Sequence, residues 1–245
     1  MSPLISIITV VYNSEQFIES TLKSIAAQNS KNFEYIIIDG QSKDATLSII
    51  GKYKSFVDVL ISEPDKGLYD AMNKGLQLAK GQFVWFINSG DQLYSENTVA
   101  QIEQLYQQDY SIDVFYGQTQ LIDEKGNIVG MRKKTAPDNL NANSLKMGLM
   151  VCHQSILIRK DIADKYDLQL KVSADYLWVL SALEKAKNIC NTKQILSKYL
   201  ENGFSAHNKR LANTERLKIM IKHYGFWATM FAHVKITIRY LKEIR

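Results

Sequence analysis

Four stretches of the amino-terminal half repeat one order of positions: an apolar run, a short polar turn, and a segment whose apolar residues recur at helical spacing. The apolar runs are 4–11, 33–38, 57–61 and 83–87. Short continuous apolar runs indicate strands buried on both faces, as in a parallel sheet. The repeated strand–helix order therefore predicts an α/β domain of the doubly wound, nucleotide-binding kind, in which right-handed crossovers bring the polar turns to one edge of the sheet.

The segments after the first three runs carry apolar residues three or four positions apart, which predicts one helix in each. These residues are Phe17, Ile18, Leu22 and Ile25, then Leu47, Ile50 and Tyr53, then Leu68, Met72, Leu76 and Ala79. Ser14 is expected to cap the first helix, with Glu15 in its first turn facing the positive helix end.

The fourth run ends abruptly in Asn88-Ser89-Gly90-Asp91, which places one carboxylate at the carboxyl end of a buried strand. Ligands bind at that edge of an open α/β sheet. A carboxylate there can hold a divalent metal, and a metal there can hold a diphosphate. The alternative interpretation is an ordinary Ser-Gly-Asp turn.

Composition is that of an ordinary folded protein, with 245 residues, 46% hydrophobic and 22% charged. The sequence shows neither a secretory leader nor an apolar run of membrane-spanning length, so a cytosolic protein is expected. Cys152 and Cys190 lie in apolar segments and are interpreted as reduced core thiols, with a disulfide left open.

Positive charge is concentrated at the carboxyl end. Residues 205–245 carry nine Lys or Arg against two acids, a formal +7, so the +5 of the whole chain leaves residues 1–204 at about −2. Two helices, 217–223 and 226–240, are predicted there, broken near Gly225. Their apolar face consists of Phe226, Trp227, Met230, Phe231, Val234, Ile238 and Leu241, and the basic residues around it are Lys222, Lys235, Arg239 and Lys242.

Three interpretations of this basic segment stay open. It could pack on the preceding domain with a solvated basic side, lie in the interface of an anionic membrane, or bind nucleic acid, for which no accompanying motif is present. The expected organisation is a domain over 1–205 followed by a basic amphipathic helical tail over 206–245. A further polar segment, 132–143, begins with three basic residues and is interpreted as a surface loop or as a mobile flap over a pocket.

Six motifs occur in order along the first 205 residues. They are Thr9-Val10-Val11-Tyr12-Asn13, Asp39-Gly40-Gln41-Ser42-Lys43-Asp44, Glu63-Pro64-Asp65-Lys66-Gly67-Leu68-Tyr69-Asp70-Ala71-Met72-Asn73-Lys74-Gly75, Asn88-Ser89-Gly90-Asp91, Cys152-His153-Gln154-Ser155 and Ser173-Ala174-Asp175-Tyr176. Each motif is weak alone, but the ordered set resembles the family-2 glycosyltransferases, which are inverting sugar-nucleotide enzymes with the GT-A fold. The likeness covers about residues 3–205. It is strongest to bacterial enzymes of exopolysaccharide, capsule and O-antigen assembly, including the colanic-acid type.

The resemblance implies a nucleotide site at the sheet edge. Asp39 would accept a hydrogen bond from a uracil-type imide or a ribose hydroxyl, and the alternative for Asp39 is a helix cap. Lys66 would help to hold the diphosphate, although a solvated surface lysine is the simpler interpretation. The implied nucleotide-binding residues are Thr9, Tyr12, Asn13, Asp39, Lys66, Asp70, Asn73, Asn88 and Ser89.

Asp91 corresponds in this resemblance to the last carboxylate of an Asp-X-Asp type motif, which is degenerate here because Gly90 stands where relatives often carry a carboxylate. Mn²⁺ or Mg²⁺ is the implied cofactor, since diphosphate oxygens and water can complete the ligand set around Asp91. His207 is a candidate further ligand, against the alternative of an exposed loop histidine.

Asp175 is the implied catalytic base, and helix capping beside Ser173 is its alternative role. It would take a proton from the acceptor hydroxyl as that oxygen attacks the anomeric carbon opposite the leaving nucleotide diphosphate. His153 and Gln154 would lie beside the donor sugar or the acceptor, although a buried, hydrogen-bonded histidine is nearly as good an interpretation of His153.

The sequence thus favours an inverting, metal-dependent glycosyltransferase. It would move a sugar from a UDP-sugar or related donor to a saccharide, expected to be lipid-linked, in bacterial surface polysaccharide synthesis. A peripheral position on the inner face of the cytoplasmic membrane is one expectation for its tail. The alternative is a catalytically silent, sugar-nucleotide-binding assembly partner, motivated by Gly90. A nucleotidyltransferase is less favoured because no glycine-rich, basic phosphate loop is present.

Overall fold

The computed structural model describes residues 2–201 and 208–243, in which nine strands form one mixed sheet. The strands are β1 (Ile5–Val11), β2 (Phe33–Asp39), β3 (Val59–Ser62), β4 (Phe83–Phe86), β5 (Gln92–Leu93), β6 (Val114–Ile122), β7 (Ile128–Met131), β8 (Ile156–Arg159) and β9 (Ile189–Leu200). The α-helices are α1 (Ile18–Ala26), α2 (Thr46–Gly51), α3 (Leu68–Leu78), α4 (Thr98–Gln108), α5 (Ala174–Lys185), α6 (Lys209–Tyr224) and α7 (Phe226–Glu243). Short 3-10 turns occupy Lys54–Phe56, Ala142–Met147, His153–Ser155 and Lys160–Ile162.

The sheet has the strand order β3-β2-β1-β4-β8-β6-β9-β5, and β7 pairs with β6 outside that order. The four amino-terminal strands are parallel to one another, as the repeated pattern predicts. Strand β8 runs antiparallel between β4 and β6, and β6 and β9 are parallel. The expected α/β architecture is confirmed, and the carboxyl ends of β1, β2, β3 and β4 meet at one edge.

Both faces of the sheet are covered, which explains why its central strands are apolar at almost every position. Along β1, Ile8 and Val10 join the core on one face, whereas Ile5 and Ile7 join the core on the other. This alternation is the two-residue period of a strand. The residues of α3 and α5 belong to the first core, and those of α1 and α4 belong to the second.

The predicted cap at Ser14 is wrong. Helix α1 begins at Ile18, after a turn in which the Ser14 carbonyl accepts from the amides of Phe17 and Ile18. The Ser14 hydroxyl instead lies 2.7 Å from that of Ser89, so it ties the ends of β1 and β4 together. The prediction failed because sequence spacing does not show that the chain makes an extra turn before the helix.

The two carboxyl-terminal helices are joined at Gly225, which has φ of +82°. Ile219, Met220 and Ala232 are buried in the same core as the α3 and α5 side of the sheet. The outward face of α7 is apolar as well: Trp227 is 82% exposed and Phe231 is 63% exposed. Among residues 2–201 and 208–243, no helix combines the length and apolarity needed to cross a bilayer.

Candidate active site

A cavity of about 750 Å³ opens at the carboxyl edge of the parallel strands. Its lining comes from the ends of β1 and β4, from the start of α3, from segments 132–134 and 149–154, from the start of α5, from the end of β9, and from α6. A volume of this size is typical of a small-molecule site. The ionisable residues of the lining include Asp65, Asp91, Asp175, Arg132, Lys134, His153 and Arg216.

Several predicted nucleotide-binding residues lie at one end of this cavity. Tyr12, Asn88 and Ser89 line it, together with Ser14 and Asp65. Tyr12 is 62% exposed, so its ring is available for stacking. The side-chain oxygen of Asn88 is buried and has no hydrogen-bond partner among the described residues, so a ligand could satisfy it.

Thr9, Asn13 and Asp39 lie behind this end and are not among the lining residues. The Thr9 hydroxyl donates to the carbonyl of Ile87 at 2.6 Å. Asn13 has φ of +45°, and its side-chain oxygen accepts from the amide of Lys43 at 2.8 Å. The first bond joins β1 to the residue that follows β4, and the second joins the turns after β1 and β2.

The buried carboxylate of Asp39 accepts three hydrogen bonds. They come from the amide of Ser42 at 3.0 Å, the hydroxyl of Ser42 at 2.5 Å and the hydroxyl of Ser62 at 2.6 Å. Asp39 therefore holds the turn after β2 against the end of β3, and its role toward a nucleotide stays a prediction.

The predicted residues around α3 are not among those that line the cavity. The carboxylate of Asp70 accepts from the amide of Lys66 at 3.0 Å, and Lys66 is exposed. Asn73 binds the backbone of Tyr166 twice, at 2.7 Å and 2.9 Å. The intervening Gly67, with φ of +114°, does line the cavity. A nucleotide contact by Lys66, Asp70 or Asn73 stays a prediction.

Asp91 lies deep in the cavity and is only 4% exposed. One carboxylate oxygen accepts from the side-chain amide of Gln154 at 2.7 Å, and the other accepts from the amide of Leu200 at 3.0 Å. Burial raises the pKa of Asp91 to about 7, although both hydrogen bonds oppose the shift. A neighbouring cation would favour the charged carboxylate.

The backbone at position 90 explains why the motif Asn88-Ser89-Gly90-Asp91 carries glycine there instead of a carboxylate. Its φ is +95°, and a Cβ there would lie 2.7 Å from Cδ2 of Leu200. Any side chain at this position would be strained, and the Leu200 side chain would have to shift. The chain therefore cannot carry a carboxylate at position 90 without moving its neighbours.

The described side chains around Asp91 do not enclose Mn²⁺ or Mg²⁺ on their own. Among the described residues, no group of three His, Cys, Asp or Glu side chains is arranged to hold a metal ion. Each oxygen of Asp91 accepts one hydrogen bond and keeps a second lone pair. These residues fit a metal shared with the oxygens of a bound diphosphate, not one held by protein ligands alone. His207 lies outside the described residues.

Asp175 and His153 form a second polar pair. Asp175 is in the first turn of α5, and its side chain is 25% exposed. Its Oδ1 accepts from the amide of Tyr176 at 2.8 Å, and its Oδ2 lies 4.0 Å from Nδ1 of His153. Burial lowers the pKa of His153 despite the nearby carboxylate, and its Nε2 has no partner within the described chain. A neutral imidazole therefore lines the cavity with one unsatisfied nitrogen.

Segment 152–154 connects the two carboxylates. His153 faces Asp175, while Gln154 binds Asp91 and its carbonyl accepts from the indole of Trp85 at 2.8 Å. The thiol of Cys152 donates to Gln154 at 2.7 Å, and both cysteines are free thiols. Because Trp85 lies fully buried in β4, this segment is anchored to the sheet.

Three basic residues of the cavity lining were not identified as site residues from the sequence. Arg132 and Lys134 come from the start of the polar segment 132–143, and Arg216 comes from α6. The run of basic residues at 132–134 was a signal of this role. No sequence signal marked Arg216, because its position in the cavity lining depends on how α6 packs against the domain.

Comparison with known proteins identifies the family. A model of the family described as "Glycosyl transferase family 2" matches residues 6–167. The chain is 27% identical over 212 residues to a putative teichuronic acid biosynthesis glycosyltransferase, TuaG, of Bacillus subtilis, covering 84% of this chain and 83% of that protein.

Solved structures share the fold. The crystal structure of S. aureus TarS 1–349 in complex with UDP-GlcNAc superposes with a TM-score of 0.66 at 18% identity, covering 89% of this chain and 73% of TarS. A mannosyltransferase, PcManGT from Pyrobaculum calidifontis, in complex with GDP-Man and Mn²⁺, superposes with a TM-score of 0.65 at 12% identity, covering 96% of this chain and 70% of that one. With the GT-A fold and a family match over most of its length, this chain belongs to glycosyltransferase family 2.

Proposed function

We propose that this protein is an inverting, metal-dependent glycosyltransferase that moves a sugar from a UDP-sugar to a lipid-linked saccharide in the synthesis of a bacterial surface polysaccharide. The observation that carries the proposal is the pair of carboxylates in one cavity. Asp91 lies at the end of β4, Asp175 lies at the start of α5, and segment 152–154 contacts both. Inverting transfer needs one base and one group that stabilises the leaving diphosphate, and no covalent intermediate.

Asp175 is the proposed base. Its Oδ2 would accept the proton of the acceptor hydroxyl as that oxygen attacks the anomeric carbon. The bond to the nucleotide diphosphate breaks on the opposite face, which inverts the configuration. His153 is neutral and has a free Nε2, so it would bind a sugar hydroxyl beside this reaction centre.

Asp91 is the proposed ligand of Mn²⁺ or Mg²⁺, with His207 as a further candidate. The metal would supply positive charge to the leaving diphosphate. Gln154 orients the Asp91 carboxylate through its 2.7 Å hydrogen bond. Tyr12, Asn88 and Ser89 would contact the nucleotide directly. Thr9, Asn13, Asp39, Lys66, Asp70 and Asn73 would support the turns around it.

The choice of donor and pathway is supported by relatives. TarS binds UDP-GlcNAc in its crystal structure, and TuaG is named for teichuronic acid biosynthesis. The Mn²⁺ in the PcManGT complex supports the metal requirement. TarS and TuaG support a UDP-sugar donor and a surface polysaccharide product, and the GDP-Man bound to PcManGT makes a GDP-sugar the competing donor.

We also propose that residues 206–245 form a helical appendage of the GT-A domain, 1–205, that contacts the inner face of the cytoplasmic membrane. The exposed residues Trp227, Phe231, Val234 and Ile238 fall on one face of α7. Lys235 lies 4.6 Å from the ring centroid of Phe231, so positive charge borders the apolar face. Such a helix suits an anionic lipid surface, where a lipid-linked acceptor would be found.

Thermal stabilisation by a panel of sugar nucleotides, with Mn²⁺ or with EDTA, tests the donor site first. A UDP-sugar should raise the melting temperature with Mn²⁺ and do so much less with EDTA. Release of UDP in the presence of a membrane extract would then show transfer. No stabilisation by any sugar nucleotide would contradict the proposed function, whereas stabilisation without any turnover would favour the silent assembly partner.

A further inference from the structure

Arg132, Lys134 and Arg216, here called the basic cluster, line the cavity. A Cβ on Gly148 would lie 2.5 Å from Nζ of Lys134 and 4.0 Å from Nη1 of Arg216. Gly148 has φ of +94° and no side chain, so it leaves room for these two cations to approach the same point. The charges therefore converge although they come from distant parts of the sequence.

The two guanidinium groups are oriented but not neutralised. Arg132 donates to the carbonyls of Leu149 at 2.8 Å and Met150 at 2.9 Å, which fix its plane without supplying a negative charge. Arg216 lies 5.7 Å above the ring of Tyr176, and its Nε is buried without a hydrogen-bond partner among the described residues. Neither guanidinium forms an ion pair within residues 2–201 and 208–243.

Partly buried positive charges without counter-charges are costly, and an anionic ligand would offset that cost. A guanidinium fork matches the oxygens of a phosphate in both charge and geometry. The basic cluster thus has the chemistry of a site for a phosphate oxyanion.

The basic cluster and the proposed donor end come from different elements of the fold. Tyr12, Asp65, Asn88 and Asp91 come from the ends of β1, β3 and β4, and two of them are carboxylates. The basic cluster comes instead from the segment after β7 and from α6. Helix α6 leads through Gly225 directly into α7, which carries the exposed apolar face.

We propose that the basic cluster binds the phosphate of the acceptor, which would be a saccharide joined to its lipid through a phosphate or diphosphate ester. This inference rests on the proposed function, because it names the acceptor class for the same cavity. The phosphate would lie in the cavity at Arg132, Lys134 and Arg216, and the lipid would leave toward the apolar face of α7.

Calorimetry with soluble probes tests the assignment. The probes are geranyl diphosphate, the neutral alcohol geraniol, and UDP with Mn²⁺. The variants are Arg216→Gln and Lys134→Gln, and the matched control is Lys218→Gln, an exposed lysine of α6 outside the cavity lining. Each cluster variant should lower the affinity for geranyl diphosphate at least about tenfold and change the affinity for UDP by no more than about twofold. The control should change neither affinity. Geraniol should bind all four proteins equally weakly.

Other outcomes separate the remaining explanations. A loss of UDP affinity with unchanged geranyl diphosphate would overturn the inference, because the cluster would then serve the donor. Unchanged affinity for both probes, or no binding of geranyl diphosphate to the unmodified protein, would also overturn it. If the unmodified protein binds geranyl diphosphate but not UDP, the proposed function fails while the oxyanion site stands. Arg216→Lys, which keeps the charge, replaces Arg216→Gln if melting curves show that the latter does not fold.

Discussion

At the scale of single residues, the cavity sets two carboxylates in different environments. Asp175 lies in a helix turn with a quarter of its side chain exposed, whereas Asp91 is buried under two hydrogen bonds. Burial disfavours the charged form of a carboxylate, so Asp91 gains most from a neighbouring cation, whereas Asp175 is the more accessible of the two to a substrate hydroxyl. The two positions therefore favour different chemical tasks within the same site.

Asp175→Asn should keep donor binding and lose transfer by roughly 10²-fold or more, the usual scale for a general base. The substitution keeps the shape and the oxygen that accepts from Tyr176, while it removes basicity. Initial rates and UDP affinity would be measured together, with Asp161→Asn, an exposed aspartate outside the cavity lining, as the control. Near-normal turnover would exclude Asp175 as the base.

Asp91→Ala should weaken UDP binding in the presence of Mn²⁺ at least about tenfold, or about 1.4 kcal/mol. It removes the carboxylate that the proposed metal would contact, whereas UDP binding in EDTA should change little. Asp91→Asn separates this effect from damage to the fold, because it keeps an oxygen for the amide of Leu200. Equal UDP affinity in Mn²⁺ for all three proteins would remove Asp91 from the metal site.

His153 should make the protein sensitive to acid. Burial holds its pKa below the ordinary value of 6.5, so between those two values the unfolded chain binds more protons than the folded one. The free energy of unfolding should therefore fall as the pH drops below 6.5, by at most about 1.4 kcal/mol per pH unit from this residue. When unfolding by urea is measured at pH 5, 6 and 7, the free energy of unfolding should depend less steeply on pH in His153→Gln than in the unmodified protein. The same slope in both proteins would contradict this assignment.

Local sequence patterns found residues near the polar turns, and the family resemblance added Asp175, but neither found the basic residues that packing brings to the cavity. Asn88, Ser89 and Asp91 follow a buried strand, so their place at the sheet edge is local information. Arg216 lies some 125 residues further along the chain, and only the docking of α6 brings it to the cavity. Asn73 lies on α3, as the sequence predicts, but its side chain binds the backbone of Tyr166. Helical spacing alone does not reveal that contact.

At the scale of elements, helix α6 holds helix α5 in place. The buried carboxylate of Glu215 accepts from the amides of Lys171 at 2.8 Å, Val172 at 3.0 Å and Ser173 at 2.9 Å. These amides lie at the amino end of α5, where a negative charge is also favoured by the helix dipole. Ser173 itself does not cap α5 and donates instead to the carbonyl of Ala212. Glu215 therefore fixes the turn that presents Asp175.

Glu215→Ala should destabilise the fold by about 3 kcal/mol or more, because it leaves buried amides without acceptors at 1–3 kcal/mol each. Glu215→Gln keeps one acceptor oxygen and should cost less, yet it should still lower turnover by shifting Asp175. Glu124→Gln, which removes an exposed carboxylate outside α5 and α6, is the control. If both Glu215 variants match that control in free energy of unfolding and in turnover, the hydrogen bonds from the three amides to Glu215 do not stabilise the fold.

The four parallel strands could be predicted because each strand–turn–helix unit is encoded by neighbouring residues. The order of β8, β6, β9 and β5 could not, because antiparallel insertion of β8 between β4 and β6 depends on pairing between distant segments. The short strand β5, only Gln92–Leu93, is likewise defined by its pairing with β9 and not by a pattern of its own.

At the scale of the whole molecule, charge and burial divide the carboxyl-terminal helices into two sides. The inner side is part of the core, since Ala212, Ile219, Met220 and Ala232 are all at most 7% exposed. The segment 205–245 carries a formal +7, whereas residues 1–204 carry about −2. Deleting the tail would therefore expose the core as well as remove charge, so point substitutions on the outer side give the cleaner test of membrane binding.

Trp227→Ser combined with Phe231→Ser should abolish binding to anionic liposomes while leaving the fold intact, because both side chains are mostly exposed. The unmodified protein should sediment with phosphatidylglycerol vesicles at low salt and not at high salt. Salt should screen the attraction between the anionic lipid and the basic residues, such as Lys235, that border the apolar face. Neutral phosphatidylcholine vesicles should bind much less of the protein at the same salt concentration. Tyr110→Ser, an exposed tyrosine outside α6 and α7, is the matched control and should bind like the unmodified protein. If the unmodified protein ignores anionic vesicles even at low salt, α7 does not contact the membrane, and its exposed aromatic residues must serve another partner.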